Sequence, residues 1–135
     1  MKLESASTLP RTSIGVCPEF VQALGRGDLD SAAGCFARKG CLITPDATAV
    51  HGREQIRPLL AQMISRRMLI RVELSSAIGA RDVVLARERW KIRTGDRSDS
   101  PLEQTLDPIL VLRQIEGVWK LAIAALWGWR GHDEP

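Results

Sequence analysis

The residue best placed to do chemistry is Glu88. Every second residue from Val84 to Ile92 is apolar except Glu88, while the alternate positions from Arg87 to Arg93 carry Arg or Lys. This period of two is typical of a strand with one apolar face, and it puts a single carboxylate on that face. A carboxyl group in an apolar pocket has a raised pKa and can act as a general acid or base. An ion pair between Glu88 and an arginine at the rim is the alternative.

Asp107 is the second candidate for acid/base chemistry. It shares the period of two with Thr105, Ile109 and Val111, and it directly precedes Pro108. If it converged with Glu88 in an apolar cavity, one carboxyl would stay protonated and the other charged, giving an acid and a base. An Asp-Pro step at a strand start or bulge is the alternative.

Other chemistry has weaker support. His51 is interpreted as a turn or rim residue, with a proton shuttle as the alternative, and no spacing of Cys, His and carboxylates resembles a metal site. Cys35 and Cys41 have no evident histidine partner and are expected to pack as small apolar residues. We therefore expect neither a metal nor a cofactor.

The basic row Arg87 to Arg93 is either a stripe for an anionic partner or the outer face of the sheet, paired with acidic residues such as Glu73.

The composition of the chain excludes several classes of function. The chain has 135 residues, enough for about one domain, and a net charge of +3, which is low for a nucleic-acid-binding protein. It contains no tyrosine, which excludes any mechanism that needs a phenol. Three cysteines without a Cys-x-x-Cys pair favour a reducing compartment. A polar N-terminus and the absence of a long apolar run predict a cytoplasmic protein that is not a membrane protein.

The elements that must position Glu88 and Asp107 follow from periodicity. Pro18 opens a helix that Gly25-Arg26-Gly27 stops, Asp28 caps a second helix running up to Gly40, and a third helix follows His51. Strands are expected at about 68–78, 82–93, 104–115 and 118–129, after two short extended pieces at 41–44 and 48–50. The prediction is an α+β domain over 14–130, with short tails at 1–13 and 131–135 and a mobile loop at 94–101.

This order of elements resembles the nuclear-transport-factor-2-like superfamily, and within it the ketosteroid isomerases and SnoaL-like polyketide cyclases. The resemblance covers about residues 18–129 and is carried by Gly27-Asp28-Leu29-Asp30 and His51-Gly52-Arg53-Glu54-Gln55-Ile56. It implies a cone-shaped, curved antiparallel sheet wrapped around three N-terminal helices. It also implies a homodimer that forms through the outer sheet face. The fold hosts isomerases, dehydratases, cyclases and non-catalytic binders, so it does not fix the function.

The steroid isomerase mechanism does not carry over. That family uses an Asp base and an oxyanion hole built from a Tyr and a protonated Asp. By resemblance, Phe20 stands at the Tyr position and Thr44 at the base position, and only Asp107 lies in the strand of the oxyanion Asp. Phenylalanine has no proton to donate, and a threonine hydroxyl is too weak a base.

The resemblance and the strand parity together predict a pocket for a flat hydrophobic ligand with one polar end. Its expected lining residues are Phe20, Leu24, Phe36, Thr44, Leu60, Val84, Ala86, Trp90, Ile123, Ala125 and Trp127, with Glu88 and Asp107 as acid/base candidates. Two functions stay open: an isomerase, cyclase or lyase acting on a hydrophobic metabolite, or a non-catalytic ligand-binding or dimerisation domain.

Overall fold

The computed structural model describes residues 15–94 and 102–128. Three helices come first or early in the chain: α1 (Pro18–Arg26), α2 (Leu29–Gly34) and α3 (Arg53–Ile64). The strands are β1 (Phe36–Ile43), β2 (Ala49–His51), β3 (Leu69–Ala80), β4 (Val83–Thr94), β5 (Leu102–Leu106), β6 (Ile109–Ile115) and β7 (Val118–Ala125). The predicted mobile loop falls mainly on 95–101, and both predicted tails fall almost wholly at the termini, outside the described residues.

The start of the domain follows its local signals. Pro18 is the first residue of α1, and Gly27 ends the helix in the left-handed conformation with φ 76°. The Asp28 carboxylate then accepts a hydrogen bond from the Ser31 N–H and caps α2. A hydrogen bond from the Ser31 hydroxyl, together with the one from the Ser31 N–H, lowers the pKa of Asp28.

The predicted length of α2 is wrong. The helix ends at Gly34, and Phe36 to Gly40 belong to β1 instead. The Leu121 N–H donates to the Cys35 carbonyl, and β1 then runs parallel to β7. Tertiary pairing with a strand from the far end of the chain therefore overrides the helical spacing of Phe36.

The strands form one sheet of seven, in the order β2-β1-β7-β6-β4-β3, with β5 also paired to β4. All pairs are antiparallel except β1 with β7. The third predicted strand is divided at Asp107-Pro108 into β5 and β6, both of which pair with β4. Asp107 and Pro108 lie directly before the start of β6, as the alternative of an Asp-Pro step at a strand start predicted, and the register against β4 does not shift across them.

The helices cover one face of the sheet, which we call the inner face, and the other face is called the outer face. The core between helices and sheet includes Phe20, Leu24, Ile56, Leu60 and Trp90, each at most 1% exposed. Three helices and an open, curved, mostly antiparallel sheet confirm the predicted α+β cone. Among the described residues, no helix has the length and apolar character to cross a bilayer.

Candidate functional site

Glu88 is buried on the inner face of β4 with only 5% of its surface exposed. Its Oε2 accepts hydrogen bonds from the Val16 N–H at 2.7 Å and the Ser75 hydroxyl at 2.9 Å. Its Oε1 accepts one from Trp90 Nε1 at 2.8 Å. In the described part of the chain, no Lys, Arg or His lies within ion-pair distance of it. Among the described residues, the carboxylate is therefore satisfied by neutral donors, and it is buried and has no arginine partner at the rim.

The residues before α1 lie directly against this carboxylate. Gly15 has φ 72°, and a Cβ atom at this position would stand 2.6 Å from Glu88 Oε2. Only glycine fits both the backbone conformation and the space. Glu88 thus holds the segment that leads into α1 against the middle of the sheet.

Asp107 does not lie near Glu88 in a shared cavity. Its side chain is exposed on the outer face, and its Oδ1 accepts a hydrogen bond from Arg89 Nε at 2.9 Å. Thr105, Ile109 and Val111 do share its face as predicted, but Leu106, Pro108 and Leu110 are the buried residues of this region. The alternation was predicted correctly and the choice of inner face was wrong, because β6 carries apolar residues on both of its faces.

The arginine row of β4 also lies on the outer face. Arg87, Arg89 and Arg93 are exposed, and the hydrogen bond that Arg89 donates to Asp107 raises the pKa of its guanidinium group. Its partner is thus Asp107 rather than Glu73, whose carboxylate accepts from Arg71 at 3.0 Å. The outer-face interpretation of the row is supported by this geometry.

Most of the predicted pocket residues fill the cone instead of lining a cavity. Phe20 packs edge-on against Phe36 with ring centroids 5.5 Å apart, and it lies 6.4 Å from the Trp90 ring. The members of this packed group, all 3% exposed or less, are Phe20, Leu24, Phe36, Leu60, Val84, Ala86 and Trp90. The aromatic rings occupy the space in which a ligand was expected. Of this group, only Val84 also lines the cavity described below.

The remaining predicted lining residues lie elsewhere. Thr44 sits in the turn after β1, where its hydroxyl donates to Asp46 and accepts from the Thr48 N–H. Ile123 is 40% exposed on the outer face, whereas Ala125 is buried beside Ile109 and Trp127 is half-buried against the core. The pairing of β6 with β7 shifts register after Val111, so the buried positions of β7 are Leu121 and then Ala124. A bulge reverses the side-chain alternation, and constant parity therefore assigned Ile123 to the wrong face.

A cavity of about 720 Å³ lies at one end of the sheet, between the helix termini and the β6–β7 hairpin. The start of α1, the end of α2 and the start of β7 form its walls, with one residue each from β4 and β6. It is lined by Val16, Cys17, Pro18, Glu19, Ser31, Gly34, Cys35, Val84, Leu112, Gly117, Val118, Trp119 and Lys120. Its wall is mostly apolar, with Glu19 and Lys120 as the charged groups.

Sequence reasoning missed this cavity. Its residues come from positions about one hundred apart in the chain, and they meet only because β7 lies beside β1. Lys120 Nζ donates to the Gly34 carbonyl at 2.6 Å and so joins β7 to the end of α2. The Trp119 indole N–H is buried and has no acceptor within the described ranges. No sequence period marks these residues as neighbours.

Two thiols face each other at the cavity wall. The hydrogen bond from the Cys17 thiol lowers the pKa of Cys35, and the positive charge of Lys120 adds to this effect against burial and the charge of Glu19. The same bond and burial raise the pKa of Cys17. Cys35 Sγ also lies 3.3 Å from the Ser31 carbonyl, to which its protonated form donates. Cys35 is therefore the thiol of the pair that ionises first.

The described residues contain no group of three or more His, Cys, Asp or Glu side chains able to hold a metal ion. His51 is exposed at the end of β2 and is not among the residues that line the cavity. In the described part of the cavity wall, the groups available for chemistry are thus the two thiols, the Ser31 hydroxyl, the Glu19 carboxylate and the Lys120 ammonium.

Comparisons with solved structures show the same fold. A ketosteroid isomerase-like protein from Erwinia carotovora atroseptica has a TM-score of 0.67 at 14% identity, over 91% of this chain and 90% of its own. A nuclear transport factor 2 superfamily protein from Salmonella enterica serovar Typhimurium has a TM-score of 0.69 at 12% identity, over 87% and 89%. A protein from Nostoc punctiforme with a cystatin-like fold has a TM-score of 0.69 at 17% identity, over 80% and 81%.

The comparison with curated proteins finds no match. The family model described as the SnoaL-like domain matches residues 18–119, from the first residue of α1 to the second residue of β7. The solved structures share the fold, and the family model covers most of the chain: this protein belongs to the SnoaL-like domain family.

Proposed function

We propose that this protein binds a small, mostly apolar molecule in the cavity between the helix termini and the β6–β7 hairpin. The observation that carries the proposal is the cavity itself, whose volume of about 720 Å³ is within the range usual for small-molecule sites. Its wall combines apolar side chains with few polar groups, which is the usual composition of such sites.

The polar groups suggest the kind of ligand. Lys120 uses one donor on the Gly34 carbonyl, which leaves donors of the ammonium group for a ligand. The Trp119 ring adds apolar surface to the wall, while its indole N–H is buried and does not face the cavity. A hydrophobic molecule that carries a carbonyl, carboxylate or other acceptor at one end complements these groups.

An isomerase, cyclase or lyase function has less support. Glu88 accepts three hydrogen bonds and is not among the cavity-lining residues, and Asp107 points to the outer face. Phe20 is packed in the core, and the Thr44 hydroxyl is engaged in a turn. The part of the chain that the structure describes therefore offers no acid/base pair of carboxylates, and the non-catalytic alternative is the better-supported one.

A fluorescent probe with an apolar body and one anionic group, 1-anilinonaphthalene-8-sulfonate, tests the proposal. We expect one saturable site on the folded wild-type protein. The Val118→Trp variant should fill the cavity, because Val118 lines it and is exposed enough to accept a larger side chain. We expect its dissociation constant for the probe to rise by about tenfold or more, a loss of roughly 1.4 kcal/mol.

The matched control is Ile115→Trp. Ile115 is the strand partner of Val118, is similarly exposed, and is not among the cavity-lining residues. Equal loss in both variants, or no loss in Val118→Trp, would contradict binding in this cavity.

The second candidate function is dimerisation through the outer face. Ile78, Leu85, Val111 and Ile123 are consecutive cross-strand neighbours, and they form an apolar row across β3, β4, β6 and β7. Three of them are at least 40% exposed. We propose that a second copy of the chain covers this row, which we call the outer apolar row. A row of this kind favours a protein interface over free solvent.

A further inference from the structure

The two cysteines at the cavity are placed at helix ends. Cys17 is the residue before α1, and Cys35 follows the last residue of α2. Both line the cavity, and both are free thiols. Cys17 is 7% exposed, while Cys35 is half-buried and therefore the more accessible of the two.

The surroundings of Cys17 and Cys35 give the two thiols different roles. Cys17 donates a hydrogen bond to Cys35, and Lys120 supplies positive charge near it. A thiolate at Cys35 is the nucleophile, because the anion and not the thiol attacks electrophilic sulfur or oxygen. Cys17 keeps its proton and lies next to the sulfur that would be oxidised. A reactive thiol beside a second thiol is the arrangement of redox-sensing cysteines.

We propose that Cys35 and Cys17 form a hydroperoxide-reactive pair, in which Cys35 is oxidised first and Cys17 then closes a disulfide between the start of α1 and the end of α2. This site is independent of the ligand proposed for the cavity, since it needs only the two thiols and a small peroxide.

The reaction balances in two steps. The Cys35 thiolate attacks one oxygen of the hydroperoxide; an S–O bond forms, the O–O bond breaks, and the departing alkoxide or hydroxide takes a proton from water. The Cys17 sulfur then attacks the Cys35 sulfenic acid, an S–S bond forms, and the hydroxyl leaves with the Cys17 proton as water. In sum, two thiols and one hydroperoxide give one disulfide, one alcohol or water, and one water. The two sulfurs are oxidised and the peroxide is reduced.

Cys41 provides an internal comparison. It is 8% exposed on β1, where it pairs with His51 and Ile123, and it is not among the cavity residues. Burial raises the pKa of its thiol. A buried thiol without a second thiol beside it should react slowly, so Cys41 serves as the reference for non-specific oxidation.

The experiment treats the full-length reduced protein with a small excess of hydrogen peroxide and maps the tryptic peptides without reduction. The three cysteines lie on separate peptides, 12–26, 27–38 and 40–53. We expect a crosslink of 12–26 with 27–38, which dithiothreitol reverses, while 40–53 keeps a free thiol.

Serine variants separate the two roles. In Cys17→Ser, Cys35 should accumulate as sulfenic acid and be labelled by dimedone, because nothing resolves it. In Cys35→Ser, the crosslink should be absent and oxidation at Cys17 should slow by about tenfold or more, since that thiol stays protonated. Cys41→Ser should behave as wild type. Circular dichroism checks that each variant is folded.

Two charge variants test the assignment without touching either sulfur. The rate of Cys35 alkylation by iodoacetamide at neutral pH should fall in Lys120→Met and rise in Glu19→Gln, by about two- to fivefold each. The sign follows from the charges that stabilise or oppose the thiolate. The pair is refuted if Cys41 oxidises as fast as Cys35, if no crosslink forms between 12–26 and 27–38, or if both charge variants change the rate in the same direction.

Discussion

Glu88 shows how a buried carboxylate can serve structure. The alternation of β4 predicts correctly that it lies on an apolar face, and the structure supplies the reason that it is tolerated there: three neutral donors satisfy its two oxygens. Burial of a charged group costs several kcal/mol unless hydrogen bonds compensate it. These bonds tie the segment before α1, β3 and β4 together.

The prediction at this scale is the effect of Glu88→Gln. The amide has one acceptor oxygen, and it turns an NH2 group toward donors that need an acceptor. We expect the free energy of unfolding to fall by about 1.5–3 kcal/mol, the value of a hydrogen bond to a charged group. Urea denaturation at neutral pH measures it.

The matched control is Glu73→Gln on the neighbouring strand. Glu73 is exposed and pairs with Arg71 at the surface, so its loss should change stability by about 0.5 kcal/mol or less. If Glu88→Gln lowered the free energy of unfolding no more than Glu73→Gln does, the three hydrogen bonds would not hold the N-terminal segment.

At the scale of elements, local signals predict where α1 and α2 begin. They do not predict where α2 ends or which face of β7 is buried, because pairing between strands decides both. Pro18, Gly27 and Asp28 act as the sequence predicts. Helix α2 ends at Gly34 because β1 begins at Phe36, and the alternation of inner and outer side chains in β7 reverses at its bulge. Both errors arise from pairing with another strand, which periodicity within one segment cannot register.

The prediction for the elements concerns Pro58 in the middle of α3. Its ring removes the N–H that would donate to the Glu54 carbonyl, and its side chain is exposed. Pro58→Ala should therefore stabilise the protein by about 2 kcal/mol, after allowance for the greater freedom of the unfolded chain. Thermal and urea unfolding measure the change.

Pro45→Ala is the opposite case. Pro45 is the second residue of the turn closed by the Ala47 N–H and the Thr44 carbonyl, a position for which proline is preorganised. Its replacement should lower stability by about 0.4–1 kcal/mol. A loss of stability in Pro58→Ala would mean that the proline fits α3 better than its missing hydrogen bond suggests.

At the scale of the whole molecule, the outer apolar row leads to a prediction about assembly. Leu85 lies in the middle of β4, beside Ile78 and Val111. A charge placed there would be buried without a partner in a dimer that uses this face. We expect wild type to sediment as a dimer and Leu85→Glu to raise the dimer dissociation constant by about tenfold or more.

Leu69→Glu is the matched control, because Leu69 is 65% exposed at the opposite end of β3 from Ile78. It should sediment as wild type. A monomeric wild-type protein, or a dimer unaffected by Leu85→Glu, would contradict dimerisation through this row.

The sequence by itself determined the α+β class, the order of helices and strands, the caps of α1 and α2, and the single carboxylate on the apolar face of β4. These features depend on periodicity and local chemistry, which a short segment carries within itself. The family resemblance was confirmed by the family model and by the solved structures.

Only the tertiary structure decided where the cavity lies and which groups face it. Phe20, Phe36 and Trp90 fill the expected pocket, Asp107 turns outward, and Cys17 meets Cys35 beside Lys120. These outcomes depend on the volume that packed rings occupy, on the pairing of β5 and β6 with β4, which sets the face of Asp107, and on the parallel pairing of β1 with β7. These are properties of segments in contact across the fold, and no single segment of the sequence contains them.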